Sequence, residues 1–139
     1  PDGGLSIVHP VHNTHPIREA LTDDELVQRA WNKLPNDAIS PRVVEEDAIP
    51  KERSFRNAWR QNGMNIEHDI EKAREIKRGQ LRALRAPKLA ELDVAYMRAV
   101  ESGDTQAQAS IVVQKNVLRN ITNLVDGITD LEALKVLKI

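Results

Sequence analysis

Residues 66–102 read IEHDIEKAREIKRGQLRALRAPKLAELDVAYMRAVES, and with Asn65 ahead of them they predict one long helix nearly free of turn residues. Apolar positions recur at helical spacing: Ile66, Ile70, Ala73 and Ile76, then Leu81 and Leu84, then Leu89, Leu92, Tyr96 and Ala99. The last four have the alternating three- and four-residue spacing of a seam made for another helix. Gly103 and Asp104 break the run and a second apolar periodic stretch starts at once, so the expected centre of the fold is a helical hairpin. Pro87 is the irregularity, because a proline inside a helix removes a hydrogen bond and crowds the preceding turn at about 3 kcal/mol. The seam also changes phase there: extended backwards, the register of Leu89, Leu92, Tyr96 and Ala99 uses Arg85 and not Leu84. Together these predict a kink or short break between Arg85 and Lys88.

The return helix opens at Asp104-Thr105-Gln106-Ala107-Gln108, with Thr105 and Gln108 spaced as a capping box. Ala109, Val112, Val113, Val117, Ile121 and Leu124 form its expected buried face, and Ile111, Leu118 and Val125 lie off that stripe. An arc this wide predicts contact beyond the hairpin, through Ile111, Leu118 and Val125, with the N-terminal part or a second protomer. Gly127 ends the helix, and Thr129-Asp130-Leu131-Glu132 caps a short terminal one carrying Leu131, Leu134 and Leu137.

Ahead of the hairpin, Pro1-Asp2-Gly3-Gly4 reads as a tight turn and Leu5 to His9 as a short strand, ended by Pro10. Such a turn has no first strand to close, so this strand is expected to pair with upstream residues or with another chain. His9, His12 and His15 follow at a spacing of three; a metal-stabilised trimer is one reading, but Pro10 and Pro16 prevent the helix that would align them, and surface loop histidines are the favoured one. Thr22 and Glu25 form a capping box, with Leu21 and Leu26 as a hydrophobic staple, for a helix burying Val27, Ala30, Trp31 and Leu34 and stopped by Pro35. Arg42 to Glu45 reads as a further short strand. Residues 48–60, AIPKERSFRNAWR, hold the only phenylalanine and one of two tryptophans among four basic residues. Phe55, Ala58 and Trp59 share a face there, either pinned onto the long helix or, with Arg53 and Arg56, presented to a partner.

The 139-residue chain is 29% charged and 40% hydrophobic but only 3% aromatic, a composition for a core of aliphatic helix seams. The absence of cysteine excludes disulfides, thiolate zinc sites and thiol catalysis. No apolar run is long enough to span a bilayer, and the N-terminus lacks the layout of a signal peptide, so a soluble chain with no membrane partner is expected. Arg74, Arg78, Arg82 and Arg85 form one stripe that fits a phosphate backbone, the basis of an alternative reading as a nucleic-acid-binding regulator. A net charge of −1 and the lack of interleaved aromatics weigh against it. No phosphate loop, HExxH, GxSxG or Ser-His-Asp pattern is present, so no enzyme activity and no cofactor are expected.

At AIPKERSFRNAW, and again at REIKRGQLRALRAPKLAELDVAYMRAVESGD through QKNVLRN, the chain resembles small tail-region proteins of tailed bacteriophages. Shared features are a short strand after a DGG turn, an FRNAW-type segment, a helix carrying an RAPKLAELDV-like block, and a return helix ending in LR. Tail fibre assembly proteins and tail assembly chaperones are similar more loosely, in the helix, Gly-Asp turn and helix. The resemblance implies a non-catalytic role in the virion tail, with host cytoplasm as the place of assembly, contacts to other tail or fibre proteins, and a trimeric or hexameric homo-oligomer. The alternative it implies is an assembly chaperone that leaves the particle. The expected architecture is mainly α: an N-terminal strand, loop and helix region over 1–63 with the FRNAW segment, and a kinked helical hairpin with a short terminal helix over 64–139. The residues expected to make protein contacts are Phe55, Trp59, Arg53, Arg56, Ile111, Leu118 and Val125.

Overall fold

The computed structural model describes residues 4–10 and 21–139, and the fold is mainly α. Helix α1 (Asp23–Trp31) starts on the expected box: the Thr22 hydroxyl accepts from the Glu25 amide at 3.3 Å while the Glu25 carboxylate accepts from the Thr22 amide at 2.8 Å. These hydrogen bonds hold the Glu25 carboxyl below its usual range. A 3₁₀ turn at Arg56–Ala58 leads into strand β1 (Trp59–Asn62), which pairs antiparallel with β2 (Asn65–His68), Trp59 facing His68 across the ladder. Helices α2 (Ile70–Glu101), α3 (Thr105–Asn120) and α4 (Leu131–Val136) follow, with a 3₁₀ turn at Ile121–Val125 after α3.

Four local expectations are corrected. Asn65 to His68 is strand and not the first turn of the long helix, because Gly63 at φ +61° makes the first central position of a two-residue hairpin turn. Helix α2 is instead capped by Asp69, whose carboxylate accepts from the Lys72 amide at 2.9 Å. Arg42 to Glu45 is irregular and not a strand, and Leu5 to His9 pairs with no strand among the described residues. At the return helix the cap is Asp104, accepting from the Ala107 amide at 2.8 Å; Gln108 Nε2, expected in a capping box, donates to the Ala99 carbonyl at 3.2 Å. A carboxylate one residue earlier takes the cap from Thr105 because it already sits beyond the Gly103 turn.

The fourth correction concerns the short break expected as one alternative at Pro87: helix α2 runs 32 residues uninterrupted across it, and the phase change is not realised either. Arg85 occupies the inward position and donates to the carbonyls of Leu118 and Arg119, the latter at 2.7 Å, while Leu84 is 56% exposed. One inner seam therefore runs through Ala73, Lys77, Leu81, Arg85, Leu89, Leu92, Tyr96 and Ala99. The long helix ends as expected at Gly103, with φ +68° and with the Asp104 amide reaching back to the Ala99 carbonyl at 2.9 Å, a Schellman turn.

The core sits at one end of the hairpin. Phe55 and Ala58 from the FRNAW segment, Ala73 and Leu81 from α2, Val125 and Leu134 are buried together, with Ile70, Ile76, Ile121, Ile128, Leu131, Leu137 and Ile139 packed around them. Residues on both sides of position 63 thus build one core. Burying aliphatic and aromatic side chains of this size contributes about 1.5–3 kcal/mol each. Beyond Leu81, toward Gly103, α2 packs on α3 through the narrower seam.

Candidate contact surface

Of the residues expected to reach a partner, the structure turns most inward. Phe55 and Trp59 are 2% and 3% exposed; they pin the FRNAW segment onto α2, the reading that the sequence left beside partner contact. The Trp59 indole N–H donates to His68 Nε2 at 2.8 Å, which fixes His68 as an acceptor at that nitrogen. Arg53 lies over the Trp59 ring at 6.0 Å, and Arg53, Arg56 and Asn57 line a small polar cleft with Leu5, Ser6, Ile7 and His9. His12 and His15 lie outside the described residues; His9 is exposed.

On the return helix the expected faces are exchanged. Ile111 and Val125 are buried and Leu118 is half-buried, whereas Val112, Val113, Val117 and Leu124 are 42%, 63%, 62% and 58% exposed. Polar contacts set this rotation. Gln108 reaches the Ala99 carbonyl, Lys115 pairs with Asp93 at 2.6 Å and lies 4.9 Å from the Tyr96 ring centre, and the carbonyls of Leu118 and Arg119 take Arg85. A face turned the other way would leave Arg85 and Asp93 opposite valines, with their hydrogen bonds unmade.

The outward face so created is a shallow groove lined by Val113, Asn116, Val117, Asn120, Ile121 and Leu124. Neither charged residue of α3, Lys115 or Arg119, lines it. Across the hairpin, α2 exposes Leu84, Val94, Met97 and Val100. The chain exposes 10373 Å² in all, against about 7,200 Å² for a compact monomer of 15.6 kDa. Even if the thirteen residues outside the description each contributed the roughly 160 Å² of an unfolded chain, the remainder would exceed the compact value.

The arginine stripe is largely engaged within the chain. Arg74 donates through Nε to the Ile128 carbonyl at 2.8 Å and pairs with Glu71, Arg78 pairs with Asp126, and Arg85 holds the end of α3. Arg82 alone of the four has no partner among the described residues. Among those residues no cluster of histidine and carboxylate is placed to hold a metal ion, and no helix is long and apolar enough to cross a membrane. No protein-family model, no curated protein and no solved structure matches the chain.

Proposed function

We propose that the chain is a non-catalytic contact protein of a bacteriophage tail, holding neighbouring tail or fibre components together in the virion. The observation that supports contact as its work is the disposition of apolar surface: long aliphatic stripes lie open along both sides of a helical hairpin whose core is confined to one end. Surface of this kind marks an interaction site. Two open places among the described residues are a shallow apolar groove and a small polar cleft, neither of which brings together an acid, a base and a nucleophile. The tail setting comes from the FRNAW and RAPKLAELDV-like blocks, and the first of these places Phe55 and Trp59 in the core, where such a pattern serves the fold. Internal use of Arg74, Arg78 and Arg85 leaves little of the stripe for a phosphate backbone and favours protein over nucleic acid as partner.

The test is mass spectrometry of purified particles made by the phage or prophage that encodes the chain, together with deletion of its gene. A fixed ratio to other tail proteins is expected. Absence from particles that nevertheless fail to form tails without the gene would identify the assembly chaperone, and normal tails in the deletion strain would overturn both.

A further inference from the structure

We propose that the outward face of α3 and the following turn, residues 105–125, is covered by the same face of a second copy of this chain. The exposed Val113, Val117 and Leu124, with Asn120 between the last two, stand four, three and four residues apart, the spacing of a two-helix seam. Among the described residues nothing covers that seam. Two observations fit a second copy as its occupant.

The first is charge. The face has a valine and leucine centre, with Asn120 in its seam, edged by Asn116, Ser110 and Gln114, with no acidic residue from Thr105 to Val125, and both basic side chains lie outside the groove. Such a face meets its own copy without opposing like charges, and it offers a charged partner no counter-ion. Where the two helices run parallel, Asn120 at a seam position can hydrogen-bond to its own copy across the two-fold, the device that sets register in paired helices. The opposite face, on α2, is less suited: Lys88, Glu91, Arg98 and Glu101 stand exposed around Val94 and Met97.

The second is area. At their fractional exposures, Val112, Val113, Val117 and Leu124, with the exposed Ala109, Asn116 and Asn120 and the half-buried Ile121, offer roughly 600 Å² per copy, so a pair removes at most about 1,200 Å², the lower end of specific interfaces. This pairing does not depend on where the protein works.

The chain has no cysteine, so a single introduced thiol is a clean reporter. In an isologous pair centred between Val113 and Asn120, Val117 meets its own copy whether the helices run parallel or antiparallel. Sedimentation equilibrium is run on the wild-type chain and on Val117→Glu over about 1–300 µM, and Val117→Cys and Met97→Cys are exposed to mild oxidant. The expected result is a mass rising above that of one chain for the wild type, a monomer at least tenfold beyond that concentration for Val117→Glu with unchanged helical circular dichroism, and disulfide dimer from Val117→Cys but not Met97→Cys. Because Val117 is 62% exposed, the glutamate does not endanger the fold. A wild-type monomer at every concentration overturns the proposal, as does an oligomer that ignores Val117→Glu or cross-links through Met97→Cys; neither result touches the particle test above.

Discussion

At the scale of single residues, two neighbours on α2 show how little hydrophobicity alone decides. Leu84 is exposed, and Arg85, one position on, takes the place in the seam because its guanidinium finds the carbonyls of Leu118 and Arg119 where α3 ends. Arg85→Ala is expected to cost about 0.5–1.5 kcal/mol through loss of these hydrogen bonds, and Leu84→Gln less than about 0.5 kcal/mol, measured by urea unfolding of each variant. Equal losses would mean that the seam runs through Leu84 after all. A second residue-scale expectation concerns acid. Glu52 accepts from Lys135 and from the Ser54 amide, and these bonds lower its carboxyl from 4.5 to about 2, the Lys135 hydrogen bond being the largest cause. A carboxylate with a depressed folded pKa contributes stability that is present above its unfolded value and is lost as pH falls through the folded one. The tether between the FRNAW segment and α4 should therefore hold at pH 4 and open toward pH 2, followed through the Glu52 side-chain carbon shift in an NMR titration. A midpoint near 4.5 would show that the Lys135 contact is not formed in solution.

At the scale of elements, caps and turns were legible and pairings were not. The Thr22 box and the Gly103 turn rest on atoms within four residues of one another, and a sequence displays those atoms together, whereas the caps of Asp69 and Asp104 depend on where the preceding hairpin and turn end. The hairpin of β1 and β2 was missed although Asn62-Gly63 is a hairpin signal, because Ile66 and Ile70 also fit the helical period that follows. Pro87 predicts a kink or a short break, and helix α2 carries it without a break because its ring lies on the exposed side and the seam on the other side packs on α3. Its cost remains. Pro87→Ala restores an amide donor to the helix and is expected to raise stability by about 1–3 kcal/mol, seen as a higher urea midpoint with greater helicity. A lower midpoint would show that a proline-dependent bend is needed to seat α3.

At the scale of the whole molecule, the core occupies the end where the FRNAW segment, α2, the Ile121–Val125 turn and α4 meet, and the other end is two helices thick. Surface in excess of a compact monomer is the consequence. If α3 pairs with its copy, stability becomes linked to concentration, and the thermal midpoint of the wild type rises with protein concentration while that of Val117→Glu does not. The expected contact residues Ile111 and Val125 show why this surface was misplaced in the sequence reading: the stripe was found, and its direction was reversed.

Periodicity, caps and the Gly103 turn determined by themselves that this chain makes a long helix, a return helix and a short terminal one, since these depend on neighbours three and four residues apart. Composition determined that the core is mostly aliphatic and that the sequence carries no thiol. Tertiary structure alone decided which face of α3 turns inward, because that choice depends on Arg85, Asp93 and Ala99 meeting Leu118, Arg119, Lys115 and Gln108 across the hairpin. It also decided that Phe55 and Trp59 are core and that three arginines serve the fold, for these are contacts between residues far apart in sequence or across a strand pairing, invisible to any local pattern.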